Sequence, residues 1–256
     1  MTELQVVPIP ALSDNYIYLA HEPRTGETAV VDPAVSEPVL AAARERAWKI
    51  THILNTHHHG DHTGGNREVA EATGAPIAGP KADADRIPGI THALPEGGTY
   101  RVGDAEARVI LTPGHTRGHI SFWFHNADVL FAGDTLFALG CGRLFEGDAA
   151  TMWHSLQKLR ALPDSTRLYC GHEYTLTNAR CAVTVDPDNT RLRERADHVQ
   201  TLRDRGEPTI PSTLGEEKGT NPFLRADDPA IADALGMPGA EPVDVFAAVR
   251  QRRNHY

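Results

Sequence analysis

The chain has 256 residues, 40% of them hydrophobic and 23% charged, with a formal net charge of −9 at pH 7. This is the make-up of an ordinary globular protein, one large domain or a main domain with an appended one. It excludes disorder and coiled coil and argues against a nucleic-acid partner held by phosphate contacts. Three cysteines without zinc-finger spacing, no apolar run as long as a membrane span, and an N-terminus (MTELQVVPIP) without a signal-peptide pattern lead us to expect a soluble, cytoplasmic chain with no membrane partner. A monomer is the expectation for its assembly, which none of these features decides.

Apolar runs predict β-strands over 4–9, 15–20 and 28–32, carried by Leu4-Gln5-Val6-Val7, Tyr16-Ile17-Tyr18-Leu19 and Ala29-Val30-Val31-Asp32. Ser36 is placed to cap a helix running to about Ala47, with Glu37 and Pro38 in its first turn. Ile50 to Asn55 predicts a short strand, and it leads into Thr56-His57-His58-His59-Gly60-Asp61-His62. Thr63-Gly64-Gly65 reads as the turn into a helix over Asn66 to Ala72, which Gly74-Ala75-Pro76 breaks. Residues 80–105 are rich in glycine and proline and read as loop.

The histidine tract is internal, contains an aspartate, and stands where a strand hands over to a helix, so it reads as a metal site rather than a solvated surface tract. In extended chain, residues two apart point the same way. His57 and His59 can therefore reach one metal together, while His58 points away and is structural. Gly60 permits a sharp turn, after which Asp61 and His62 can both serve a second metal. Imidazole and carboxylate suit zinc and its neighbours iron and manganese.

Further along, Val109-Ile110-Leu111 predicts a strand running into Thr112-Pro113-Gly114-His115. His119 opens the next strand, Ile120 to Phe124, and reads as a hydrogen-bonding support rather than a ligand. The pattern of apolar strand, glycine and ligand-type residue recurs in Val129-Leu130-Phe131-Ala132-Gly133-Asp134 and in Leu168-Tyr169-Cys170-Gly171-His172. The candidate ligands are thus His57, His59, Asp61, His62, His115, Asp134 and His172. Five histidines and two carboxylates are too many for one four- or five-coordinate ion and about right for two, with Asp134 between them and positions left for water. The spacing supports pairing His57 with His59 and Asp61 with His62, and it is silent on His115 and His172. Cys141 and Cys170 read as structural, because an activated water leaves a cysteine nucleophile no task. After His172 strands become scarce, and Arg191 to Arg205 is helical in period. Residues 191–256 carry 10 basic and 11 acidic side chains, against 15 and 23 in residues 1–190, so the tail is relatively basic. Arg250 and Arg253 lie three apart in it, on one side of a last helix, and read as ligand-binding.

In order, THHHGDH, TPGHT, FAGDTLF and YCGHEY resemble the metallo-β-lactamase superfamily. Gly140-Cys141-Gly142-Arg143-Leu144-Phe145-Glu146-Gly147, Thr220-Asn221-Pro222-Phe223-Leu224-Arg225 and Val249-Arg250-Gln251-Arg252-Arg253 resemble glyoxalase II, the hydroxyacylglutathione hydrolases. The resemblance spans essentially the whole chain. It implies an α/β fold, an αββα metallo-β-lactamase-like sandwich over residues 1–173 with a small C-terminal α-helical, substrate-binding domain over 174–256. It also implies two divalent ions, zinc ahead of iron or manganese. His57, His59 and His115 would hold one, Asp61, His62 and His172 the other, with Asp134 bridging and with Asp61 and Asp134 orienting the metal-bound hydroxide.

The activity implied is hydrolysis of a glutathione thioester, S-D-lactoylglutathione to glutathione and D-lactate, the second step of methylglyoxal detoxification. Arg143, Tyr174, Arg250 and Arg253 are the substrate-binding residues by the same resemblance. The family often has Lys-Phe-Tyr where this chain has Arg143-Leu144-Phe145, so a phenol is missing at 145. The alternative is a glutathione persulfide dioxygenase with one iron, a relative that resembles this chain but lacks the tail motifs.

Overall fold

Strands whose successive side chains are all apolar need cover on both faces, and that requirement sets the layers here. The computed structural model describes residues 2–256. Its first sheet has the order β1 (Gln5–Ala11), β2 (Asn15–Glu22), β3 (Glu27–Val31), β4 (Lys49–Leu54), β5 (Ile77–Pro80), β6 (His92–Leu94). The first three strands are antiparallel and β3 to β6 run parallel. The second sheet contains β7 (Thr99–Val102), β8 (Ala105–Leu111), β9 (Ile120–Phe124) and β10 (Val129–Gly133). A small hairpin of β11 (Leu136–Phe137) and β12 (Gly140–Cys141) stands apart, and β13 (Arg167–Cys170) and β14 (Ser212–Thr213) complete the second sheet beyond β10.

Alternation then distributes the side chains. On β2, Tyr16, Tyr18 and Ala20 enter the core between the sheets, where they meet Phe122, Phe124 and Phe131. Ile17 and Leu19 point the other way, under Val39 and Ala43 of helix α1 (Glu37–Glu45) and, past the short α2 (Gly60–Thr63), Val69 of α3 (Asn66–Thr73). On β10, Val129 and Phe131 face inward. Leu130 and Ala132 face outward, under Met152, Leu156 and Leu159 of α4 (Ala149–Arg160). The layers are therefore αββα, as expected. Each fully buried phenylalanine contributes about 1.5–3 kcal/mol relative to leaving it exposed.

The remaining helices are α5 (Thr175–Val185), α6 (Thr190–Asp204), α7 (Leu214–Thr220), α8 (Pro229–Ala234) and α9 (Pro242–Arg253). Phe246 and Val249 of α9 share the outer core with α4, and β14 adds an edge strand on β13, so this helical part is welded to the second sheet. A buried node fixes the β11–β12 hairpin. The fully buried Glu217 accepts hydrogen bonds from Leu139 N (2.9 Å), Ser212 Oγ (2.6 Å) and Asn221 Nδ2 (3.1 Å) and pairs with Arg195. Asn221 Nδ2 also reaches the carbonyls of Phe137 and Gly140, each at 3.1 Å.

Three local expectations change. Ser36 precedes α1 but does not cap it, because its hydroxyl is taken by the Glu68 carboxylate of α3. Thr63 closes α2 rather than opening a turn. Residues 80–105 hold β6, β7, the start of β8 and a 3-10 helix over Lys81–Arg86, elements mostly of three to six residues that are too short for periodicity to reveal. No helix among the described residues is long and apolar enough to cross a membrane.

Candidate metal centre and its cleft

Strands β8, β10 and β13 run in one direction, so the turns that follow them open along one edge of the second sheet. The turn after β4 faces the same edge, and there the candidate side chains meet. His57 Nε2 lies 3.2 Å from His59 Nδ1, which lies 3.1 Å from His115 Nε2. Asp61 Oδ2 is 3.5 Å from both His62 Nε2 and His172 Nε2. Asp134 stands between the groups: Oδ1 is 3.4 Å from His62 Nε2, and Oδ2 is 3.4 Å from His115 Nε2 and 3.3 Å from His172 Nε2. Each triad has its donor atoms within 4.8 Å of one another. All seven candidates converge, and His115 and His172, which spacing left open, fall beside His59 and Asp61 respectively.

Two glycines make the approach possible. Gly133 has φ +48°, and a Cβ there would come 2.4 Å from Thr56 Oγ1 and 2.7 Å from His119 Nε2. A Cβ on Gly171 would lie 2.3 Å from Asp134 Oδ1. The repeated glycine before each ligand-type residue is thus a steric need at these two strand ends.

Behind the ring, most imidazoles have the second nitrogen tied down. His57 Nδ1 meets Thr56 Oγ1 (3.1 Å), His62 Nδ1 meets Asp32 Oδ2 (3.1 Å), His115 Nδ1 meets the Arg143 carbonyl (2.9 Å) and His172 Nδ1 meets Asp14 Oδ1 (2.7 Å). Such partners fix ring orientation and tautomer. His119 behaves as expected of a support: its Nε2 accepts from Asp134 N at 3.0 Å. His58 turns away to Asp83 Oδ2 at 3.1 Å. Sequence reasoning missed Asp14, Asn15, which donates to Asp61 Oδ2 at 3.0 Å, and Asp32, which also accepts from Thr56 N and Oγ1. Asp32 had a signal, since Val30-Val31-Asp32 ends a strand as Asp134 does; Asp14 and Asn15 had none.

The electrostatics favour a cation. Burial, then the crowd of neighbouring rings, holds His57 well below the ordinary histidine value and brings His59 down to about 4. Burial likewise lowers His115. These imidazoles are neutral, the form that coordinates metal. Burial would raise Asp134, yet His62, His172 and His115 hold its carboxyl far below the usual range. Burial opposes the charge on His62, but Asp134 and Asp32 lift it to about 9. The buried atoms His62 Nε2 and Asp134 Oδ1 have no hydrogen-bond partner among the described residues although they face each other at 3.4 Å. Nitrogen and carboxylate donors converging on unpartnered atoms fit divalent cations of the zinc, iron and manganese kind.

The cluster forms one end of a cleft of about 500 Å³ whose other walls include Arg143, Tyr174, Asn178, Arg250 and Arg253. Arg250 is only 5% exposed; its Nη1 donates to the Cys141 carbonyl (2.7 Å), its guanidinium lies 5.3 Å from the Phe223 ring, and its Nε has no partner among the described residues. The last helix therefore does not present this arginine to solvent. Arg253 Nε donates to Asn178 Oδ1 (2.7 Å), and burial followed by the nearby Arg250 lowers its proton affinity. Tyr174 stacks on His172 at 4.8 Å with planes 1° apart. Phe145, 62% exposed, stands 5.2 Å from the His115 ring and 5.9 Å from that of His59. The three cysteines are free and buried, and burial pushes Cys141 up to about 11 and Cys170 to about 12, so both are neutral thiols.

Residues 11–172 match the metallo-β-lactamase superfamily and residues 173–256 match the hydroxyacylglutathione hydrolase C-terminus. The chain is 56% identical to a hydroxyacylglutathione hydrolase of Methylococcus capsulatus over 251 residues, 98% of each chain. It is 56% identical to one from Rhodospirillum rubrum over 256 residues, all of both chains. Among solved structures it resembles ETHE1 from Myxococcus xanthus, at 27% identity and a TM-score of 0.66, covering 98% of this chain and 97% of that one.

Proposed function

The chain belongs to the metallo-β-lactamase superfamily and, within it, to the hydroxyacylglutathione hydrolases, and on that footing we propose that it hydrolyses the thioester of S-(2-hydroxyacyl)glutathione. It is a metal-dependent thioester hydrolase, with S-D-lactoylglutathione as substrate and glutathione and D-lactate as products. The observation that carries the reading is the pairing, in one cleft, of a nitrogen–carboxylate cluster with three arginines that pair with no carboxylate among the described residues. A glutathione thioester offers the matching parts: a carbonyl to attack and two carboxylates to hold.

We assign His57, His59 and His115 to one cation, Asp61, His62 and His172 to a second, and Asp134 to both, with zinc ahead of iron or manganese. When bound, the cations supply a water made nucleophilic near neutral pH and a positive field for the charge that develops on the carbonyl oxygen. Asp61 and Asp134 would accept hydrogen bonds from such a water and orient it toward the thioester carbonyl. Asp14, Asp32 and Asn15 keep the rings and the Asp61 carboxylate from rotating. The departing thiolate has a pKa of about 8.5–9 by analogy with cysteine, so no dedicated acid is needed. Neutral, buried Cys141 and Cys170 take no part as nucleophiles. Arg250, Arg253 and Arg143 receive the glutathione carboxylates, and Tyr174 flanks the thioester beside His172.

In this reading residues 1–173 carry the cations and residues 174–256 most of the substrate-binding groups. The enzyme works as a cytoplasmic monomer without nucleic acid or membrane, in keeping with its three unpaired cysteines. The mononuclear-iron dioxygenase alternative is disfavoured by the C-terminal match over 173–256. Metal analysis combined with two assays tests the proposal: about two ions per chain and hydrolysis of S-D-lactoylglutathione are expected. Oxygen uptake on glutathione persulfide without thioester hydrolysis would overturn it.

A further inference from the structure

Residues 143–147 carry Arg143 and Phe145 over the mouth of the cleft, yet among the described residues no backbone–backbone hydrogen bond involves this loop. Its ties are few. The Arg143 carbonyl accepts from His115 Nδ1 at 2.9 Å, and Leu144 packs partly buried against the outer core. The third tie is Glu146. Arg86 grips its carboxylate with both ends of the guanidinium fork, Nη2 to Oε1 at 2.6 Å and Nη1 to Oε2 at 3.1 Å, and Arg117 N donates to Oε2 at 2.9 Å. Behind Arg86 stands Asp83, 3% exposed, which accepts from Arg86 Nη1 at 3.3 Å and meets His58 Nδ1 at 3.1 Å. One carboxylate thus ties the rim loop to the 3-10 helix Lys81–Arg86 and to the turn that carries His115, and the chain of bonds ends on the histidine between His57 and His59.

An isolated surface ion pair would contribute little. This one is bidentate, reinforced by a backbone N–H and anchored on a buried acid, which is the arrangement that holds geometry. We propose that the Arg86–Glu146 pair is a positioning clamp that holds the 143–147 rim in place for substrate capture, a role that rests on the thioester-hydrolase reading above. Neither residue touches the substrate. Their work is to keep Arg143 and Phe145 at the cleft mouth, so that loop ordering is not charged against binding.

Kinetics with a glutathione thioester, zinc analysis and limited tryptic cleavage of the Arg143–Leu144 bond, followed by mass spectrometry, test the clamp on the zinc-loaded enzyme. Glu146→Gln and Arg86→Met are each expected to raise KM by about fivefold to twentyfold with kcat within about twofold and zinc content unchanged. The double variant should be no worse than the more affected single one, because the two act through one contact. Cleavage after Arg143 should accelerate severalfold in both single variants, while Arg86→Lys, which keeps the charge, should fall between them and the unmodified chain. Unchanged KM with unchanged cleavage would overturn the proposal, as would additive effects in the double variant or a joint fall of kcat and zinc content. If the unmodified chain does not hydrolyse the thioester at all, the functional reading fails, and the cleavage rates still decide whether the clamp exists.

Discussion

On the strand-end wall of the cleft, His57, His62, His115 and His172 each have their rear nitrogen held by a named partner, whereas on the facing wall Arg143, Arg250 and Arg253 have no carboxylate among the described residues to answer their charge. Elsewhere in the C-terminal part, Arg195 pairs with Glu217 and Arg225 with Asp186. The first wall thus has four of its five cluster imidazoles oriented from behind. The second keeps a buried guanidinium supported by the Cys141 carbonyl, the Cys141 sulfur and an aromatic face, all uncharged, a costly arrangement unless an anion completes it. One wall is therefore built for rigidity and the other for complementarity, and substitutions should separate the two.

The sharpest break is Asp134→Asn, which removes the carboxylate facing three histidines at 3.3–3.4 Å. We expect thioester hydrolysis to fall by about a thousandfold or more, with loss of bound metal by elemental analysis; retained activity would contradict the two-cation arrangement. Next is Asp32→Asn, which leaves every assigned ligand in place but frees His62 to turn. Competition with a chelator should show metal affinity reduced by about 10–100-fold. On the facing wall, Arg250→Met should raise KM for the glutathione thioester by about 10–100-fold, since a hydrogen bond to a charged group contributes about 1.5–3 kcal/mol, with kcat held within about twofold. A collapse of kcat at constant KM would move Arg250 to the first wall.

The smallest effect probes the loop that joins the walls. The hydrogen bonds from Arg86, then the Arg117 N–H, bring Glu146 down to about 2, below its unfolded value of about 4.3. Its contribution is therefore present above about pH 4.3 and is lost as pH falls through about 2. Glu146→Gln should lower Tm by about 1–3 °C at pH 6, and in thermal melts the gap should narrow below about pH 4.3 and close by about pH 2.

How much of this could be read from the chain depends on distance along it. The order of apolar strand, glycine and His or Asp was legible because it is local: a strand points its last residue at an edge, and a small residue lets the backbone approach. Hence the seven side chains that converge were all among the candidates, and His58 and His119 bond to Asp83 and to Asp134 N outside the two triads. The β6 and β7 strands were not found, being short and lying amid turn residues. Nor was Asp14, which reaches His172 across 158 positions.

The amino-acid sequence by itself determined the layers, through apolar runs such as those of β2 and β10 that are buried along their whole length and need cover on both faces, and the chemistry of the site, through which residue types end each strand. Only the tertiary structure decided which histidine stands beside which, that Arg250 is buried against the Cys141 carbonyl, and that Glu146 ties the rim to Arg86. Periodicity and turn preference act within a few residues of chain. The partner of a side chain is chosen by the packing of two sheets against each other and of the last helix on the second of them, and no short segment encodes that.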